Sequence, residues 1–210
     1  MFMKETFARL LSLTDGENTI PSPGLYFSHP PTLETPRLIL RRLRMKDAKD
    51  IFRYASDERV ARYVLWEPHR SLSDTRAYIR YVRQLYRNAL PSSWAIELKE
   101  SGAVIGTIGF MWYSSENRSA EVGYSLSAEY WNRGLMTEAL SRLIASAFDD
   151  LGINRLEAQY DIRNPASGRV MEKCGMREEG ILRSRIFSKN EYVDVALCSV
   201  LASDRNGNQR

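Results

Sequence analysis

Apolar positions recur along the chain at two different repeats, and the changes between them mark its elements. Residues 37–44 (RLILRRLR) carry Leu38, Leu40 and Leu43 in near-alternation, which predicts a strand. Asp47 then stands where a helix cap is expected, ahead of a helix to about Asp57 with Ala48, Ile51, Phe52 and Ala55 on one side. A second helix is predicted from Ser73 or Asp74, burying Ala77, Tyr78, Tyr81, Val82 and Leu85, and Pro91 ends that region. Alternating runs at 94–98 and 104–112 flank Ser101-Gly102 and read as a hairpin, with a further strand at 119–126. Ala139, Leu140, Leu143, Ile144, Ala147 and Phe148 then line one side of a helix expected over 135–151, with Gly152 as its stop. A strand at 154–160 and a short helix from Pro165 to Cys174, stopped by Gly175, follow. Two closing strands near 183–187 and 192–201 flank a Lys189-Asn190 turn.

Hairpins mixed with crossover helices imply an α+β domain on a single mixed sheet of about six or seven strands, with parallel and antiparallel pairing. The compact domain is expected over residues 33–202. Before it, residues 1–32 comprise an amphipathic helix at 1–13, with Phe2, Phe7, Leu10 and Leu11 on one face, and a Pro/Gly/Ser/Thr-rich strap. Residues 203–210 form a polar tail.

Composition narrows the picture a little further. With 210 residues, 43% hydrophobic and 27% charged, the chain suits one well-cored domain. Its net charge of +4 comes from scattered arginines, so direct nucleic-acid binding is not required, and an anionic ligand such as a phosphorylated cofactor fits equally well. Cys174 and Cys198 form no disulfide framework, and His29 and His69 lack ligand spacing, so no metal site is expected. No run reaches the ~18–20 apolar residues of a membrane span, and the N-terminus lacks a signal-peptide core. The expectation is a cytoplasmic protein away from the membrane.

The stretch from Glu121 to Ala139 carries the candidate chemistry, running strand, loop, helix start. Unpaired main-chain N–H groups and the positive dipole end make a helix N-terminus a phosphate cradle. Gly134 would let a diphosphate approach closely, Arg133 adds positive charge, and the Thr137 hydroxyl can donate to the same anion. The stretch is neither a Walker loop nor a GxGxxG fingerprint. Glycine before a helix is common, so spacing alone leaves a plain loop open as well.

Trp131-Asn-Arg-Gly-Leu-Met136 resembles motif A of the GNAT acetyltransferases, whose pattern is Arg/Gln-x-x-Gly-x-Gly/Ala. Tryptophan at the first position is usual in the branch resembling the RimJ/RimL ribosomal-protein N-terminal acetyltransferases. Met136 replaces the small last residue, so its side chain has to point away from the diphosphate. Asn164-Pro-Ala-Ser167 and Val170-Met-Glu-Lys-Cys-Gly-Met176 resemble that family's Asn-x-x-Ser and Glu-Lys-x-Gly-Phe signatures. The opening Leu33-Glu-Thr-Pro-Arg-Leu-Ile-Leu-Arg-Arg-Leu43 and Val104-Ile-Gly-Thr-Ile-Gly-Phe110 resemble the same branch.

The resemblance implies a GNAT fold with splayed central parallel strands, and acetyl-CoA as co-substrate. It further implies direct transfer to a primary amine, foremost the N-terminal α-amine of a protein such as a ribosomal protein. Acetylation of a small amine (antibiotic, polyamine or amino acid) is the other enzymatic reading, and a non-catalytic coenzyme A sensor or ribosome-associated module is the alternative of another class. The implied cofactor residues are Tyr124, Ser125, Leu126, Asn132, Arg133, Gly134, Met136, Thr137 and Asn164. Asn164 also reads as a helix cap before Pro165. Ser167 is the implied proton donor to the departing sulfur, and Glu121 the candidate base. Trp66, Glu67 and Trp112 are expected at the acceptor rim. Ile186 stands where RimL-like enzymes carry a further glutamate, which favours amines needing little help: an α-amine of pKa about 7.8 is about 15% neutral at pH 7, against less than about 0.1% for lysine. A monomer or a homodimer is compatible with this reading.

Overall fold

A computed structural model of the chain describes residues 22–206, so the helix expected over 1–13 lies outside the described residues. One eight-stranded sheet runs in the order β1-β2-β3-β4-β5-β6-β8-β7. Its strands are β1 (Leu33–Glu34), β2 (Leu38–Arg42), β3 (Ser93–Leu98), β4 (Val104–Ser114), β5 (Ser119–Leu126), β6 (Arg155–Asp161), β7 (Arg177–Ser188) and β8 (Glu191–Leu201). The helices are α1 (Pro23–Ser28), α2 (Ala48–Ala55), α3 (Glu58–Ala61), α4 (Leu72–Arg87), α5 (Leu135–Asp149), α6 (Pro165–Lys173) and α7 (Ala202–Asn206). The sheet is mixed, as expected, but has one strand more than the pattern predicts. The additional strand is β1, whose two residues are too few to show any period.

Every neighbouring pair is antiparallel except β5 and β6. That parallel pair is joined only at Ser119↔Arg155, Ala120↔Leu156 and Glu121↔Glu157. Beyond these positions β5 continues along β4 to Leu126 and β6 continues along β8 to Asp161, unpaired with one another. The expected splay is therefore present, and it starts at Glu121.

Alternation along β5 assigns its side chains to the two faces of the sheet. Ala120, Val122, Tyr124 and Leu126 join the larger core, with Leu140, Leu143 and Ala147 of α5 and with Tyr26 and Phe27 of α1. Packing thus reaches back before Leu33, into the segment read as a strap. Tyr26 is fully enclosed, and its hydroxyl meets Ser146 Oγ at 2.8 Å. The opposite face is covered by α2 and α4, through Ile51, Tyr54, Ile79, Val82 and Tyr86.

Two helical expectations need correction. Asp47 precedes α2, but its carboxylate caps nothing in that helix; it accepts from buried Arg41 at 2.8 and 2.9 Å and from Arg44 N at 2.7 Å. In α2 it is Tyr54 that is buried, while Phe52 is only partly so. Helix α4 starts at Leu72, one residue before Ser73, behind an N-cap at Ser71 whose side chain and main chain exchange hydrogen bonds with Asp74. Its buried stripe is Thr75, Ile79, Val82 and Tyr86, leaving Ala77 and Tyr81 exposed. Val82 is buried as expected, but hydropathy passed over Thr75 and Tyr86, whose polar groups are satisfied inside the core. Thr75 Oγ1 meets His69 Nδ1 at 2.8 Å, and Tyr86 OH accepts from Leu43 N at 3.1 Å.

Candidate active site

The loop after β5 turns sharply twice before α5. Asn132 and Gly134 both have left-handed backbones, with φ of 59° and 74°. Gly134 occupies the N-cap position of α5, and no side chain caps the first turn, so its N–H groups remain available to an anion. A residue with a side chain at 134 would be strained in this conformation. Arg133 is exposed, with its guanidinium 5.3 Å from the Tyr130 ring centroid. Met136 is buried in the core and so points away from the loop, as its substitution for a small residue demands. Thr137 is partly buried, and its carbonyl accepts from Cys174 Sγ at 3.4 Å. Burial pushes the Cys174 thiol up, which suits a core residue rather than a nucleophile.

Three residues outside the expected set hold this loop. Arg37 Nε donates to Glu138 Oε2 at 2.7 Å, and Arg37 N and Thr35 Oγ1 donate to Glu138 Oε1 at 2.9 and 2.6 Å. Arg37 Nη1 also reaches the Arg133 carbonyl at 3.0 Å. Burial would raise the Glu138 carboxyl, but the bonds from Thr35 and Arg37 outweigh it and hold it below the ordinary range. A carboxylate in the first turn would otherwise compete with an anion for the helix end. Sequence inspection passed over this clasp because its members lie about a hundred positions apart.

The main chain of β5 beside the gap follows from one bond. Ser127 N donates to Ile105 O on the β4 side at 2.8 Å, so alternation turns the main-chain groups of Tyr124 and Leu126 toward β6, where no strand pairs with them. The Leu126 carbonyl is taken by Trp131 Nε1 at 2.8 Å. The Ser125 side chain belongs to the other face, where its hydroxyl lies 3.2 Å from that of Thr107.

Ser167, in the first turn of α6, is brought against Tyr124. The phenol lies 2.9 Å from Ser167 Oγ and donates to the Ser167 carbonyl at 3.0 Å. Burial raises the Tyr124 hydroxyl despite the bond from Ser167, so the phenol stays protonated and able to donate. Asn164 precedes α6 in the N-cap position, yet its side chain makes no cap hydrogen bond. Among the described residues the side-chain amide has no hydrogen-bond partner.

Glu121 sits where the strands part, on the face opposite Tyr124. Trp112 Nε1 and Gln159 Nε2 both donate to its Oε2, at 2.7 and 2.9 Å, which fixes the carboxylate and leaves Oε1 without a protein donor among the described residues. Gln159 Oε1 is buried without a partner. Gly123, two residues along, adds no side chain to that face; a Cβ there would meet Met111 Sδ at 2.9 Å. Trp66 and Glu67 lie apart from this cluster. Trp66 packs 5.8 Å from the His69 ring, and Glu67 is exposed. Lys189, in the β7–β8 turn, donates to the carbonyls of Ala61 and Arg62 and so ties that hairpin to the end of α3. Ile186 of β7 pairs with Val193 of β8 and is partly buried.

A GNAT acetyltransferase domain is matched over residues 37–177. The chain belongs to the GNAT acetyltransferase family. Among its relatives, the uncharacterized N-acetyltransferase YoaA of Bacillus subtilis (strain 168) is 34% identical over 171 residues, covering 81% of this chain and 97% of that protein. The ribosomal-protein-serine acetyltransferase of Escherichia coli (strain K12) is 28% identical over 127 residues, or 60% of this chain and 70% of that one. Mycobacterium smegmatis RimJ, solved in complex with CoA-disulfide, shares the fold with a TM-score of 0.75 and 22% identity, over 84% of this chain and 90% of that one. This GNAT protein is accordingly an acetyl-CoA-dependent N-acetyltransferase with RimJ/RimL-type relatives.

The residues of this GNAT enzyme fit that co-substrate. An uncapped helix end with a glycine at its apex suits the diphosphate, and an unpaired strand edge suits an amide-bearing arm. Among the described residues, no group of three His, Cys, Asp or Glu side chains could hold a metal, and no helix is long and apolar enough to cross a membrane.

Proposed function

We propose that this acetyltransferase modifies the N-terminal α-amine of a protein, with a ribosomal protein as the foremost acceptor. The observation that carries this reading is the fixed carboxylate of Glu121 at the mouth of the splay, with one oxygen still free to accept a proton. A single carboxylate serves best an amine that is already partly neutral, and among protein amines that is the α-amine. The named activity of the Escherichia coli relative supports the same acceptor class.

Residues 132–137 bind the diphosphate through main-chain N–H groups and Arg133, while Asn164 and the free edge of β5 hold the arm. Acetyl-CoA supplies an activated acyl group as a thioester. Glu121 Oε1 receives the proton of the incoming amine. Leu126 N–H donates to the oxygen on which negative charge develops. Tyr124 holds Ser167 through the Ser167 carbonyl, and the Ser167 hydroxyl turns its one proton from the phenol to the departing sulfur. Trp112 shapes the acceptor side, and Trp66 and Glu67, set apart from the Glu121 cluster, would meet only the distal part of a peptide acceptor.

Release of free thiol, followed with N-terminal peptides, internal-lysine peptides and small amines side by side, tests the acceptor. The expected result is a kcat/KM at least about tenfold higher for N-terminal peptides, roughly 1.4 kcal/mol in the transition state. Preference for lysine or for a small amine would overturn the reading. Ser167→Ala is expected to lower kcat about tenfold or more while the Kd for coenzyme A stays within about twofold. Unchanged turnover would remove Ser167 from the mechanism.

A further inference from the structure

Helix α4 carries Arg76, Arg80, Arg83 and Arg87, at steps of four, three and four residues. At 3.6 residues per turn these steps return to one side, so the four guanidinium groups form a row about 16 Å long. The row lies about 100° around the helix from the buried stripe. Arg76, Arg80 and Arg87 are exposed and Arg83 is partly so.

Among the described residues this row has no ion-pair partner, whereas Arg37, Arg41, Arg59, Arg155, Arg163, Arg177 and Arg205 all have one. Exposed Arg44, Lys46, Lys49 and Arg53 lie on and just before neighbouring α2, and Arg42 stands 4.7 Å over the ring of Tyr86 in α4. Residues 41–91 hold thirteen Lys and Arg against six Asp and Glu, in a chain with 30 and 26 in total. The rest of the chain thus carries more acid than base, and the positive charge of the protein is concentrated on this helical layer.

We propose that the arginine face of α4 docks RNA through its phosphates. A protein partner would ask for an extended apolar centre, whereas the apolar residues that α4 exposes beside the row are Ala77 and Tyr81 alone. A phosphodiester chain asks only for charge at repeated spacing, and a guanidinium about every 5–6 Å along the helix axis supplies it. On the buried side of the same helix Thr75 meets His69, whose ring neighbours those of Tyr78 and of Trp66, the residue assigned above to the distal acceptor. RNA bound on α4 would therefore hold an RNA-associated protein beside the site. The choice of RNA over other polyanions rests on the ribosomal-protein reading given above.

Fluorescence anisotropy with a short labelled single-stranded RNA tests this. Four phosphate contacts predict a slope of log affinity against log salt near about −3, hence about a fiftyfold loss between about 50 and about 200 mM salt. Replacing all four arginines by glutamine is expected to weaken binding at least about tenfold and to flatten the slope. Thiol release with a short N-terminal peptide should stay within about twofold, so failure of docking is distinguished from failure of the acceptor assignment. Should the fourfold variant not fold, R76Q/R80Q and R83Q/R87Q are each expected to remove about half of the slope. Absence of binding at low salt, an unchanged slope in a folded variant, or equal displacement by an acidic peptide would each overturn the proposal.

Discussion

Arg37→Met is expected to weaken acetyl-CoA binding about thirtyfold, near 2 kcal/mol, and a second change, Glu138→Gln, is expected to recover most of that loss. Arg37 donates to Glu138 and to the carbonyl of Arg133, so its removal loosens the loop and unmasks a carboxylate in the first turn of α5. That carboxylate would then repel a diphosphate seated on the helix end. Glutamine keeps the shape and removes the charge. If the role of Arg37 were only to brace the loop, the double variant would bind as poorly as Arg37→Met. Calorimetric titration of the two variants with coenzyme A separates these outcomes. Because the folded Glu138 carboxyl lies below its ordinary value, the clasp contributes fully above about pH 4.3 and is lost as pH falls through the lowered folded value.

Glu121→Gln is expected to cut kcat/KM for an N-terminal peptide about a hundredfold at pH 7, with the deficit shrinking toward pH 9. The α-amine, with a pKa of about 7.8, becomes its own free base over that interval and needs the carboxylate less. A deficit that stays constant with pH would mean that Glu121 braces Trp112 and Gln159 and takes no proton. A lysine peptide offers a control: its amine remains protonated to about pH 10, so the deficit should persist.

Much of the architecture was legible because long periodic segments carry their own signal. Strand β5 spans the residues that alternation indicated, and α5 buries the expected Leu140, Leu143 and Ala147. The elements that escaped were short or polar. Strand β1 has no room for a period, α1 opens on Pro23 inside a stretch that reads as loop, and α4 buries a threonine and a tyrosine in preference to Ala77 and Tyr81. In the loop before α5, Gly134 stood out because a close backbone approach favours glycine, whereas Asn132 came only with the family resemblance; both have left-handed backbones. Gln159 and the Tyr124 hydroxyl were not, since a polar residue in a strand looks alike whether it faces solvent or holds a neighbour. Arg37 lay within a recognised motif, but its partner could be found only in three dimensions.

Three paired residues are all that stitch β5 to β6, and they join one panel of five strands to another of three. On the reading proposed above, such a seam makes the acyl carrier part of the masonry: lodged in the wedge, it would bridge panels that the protein's own hydrogen bonds leave apart. Any ligand that binds only the folded form stabilises it, so this enzyme would be more resistant to unfolding while loaded with co-substrate and would lose that margin whenever the spent carrier departs.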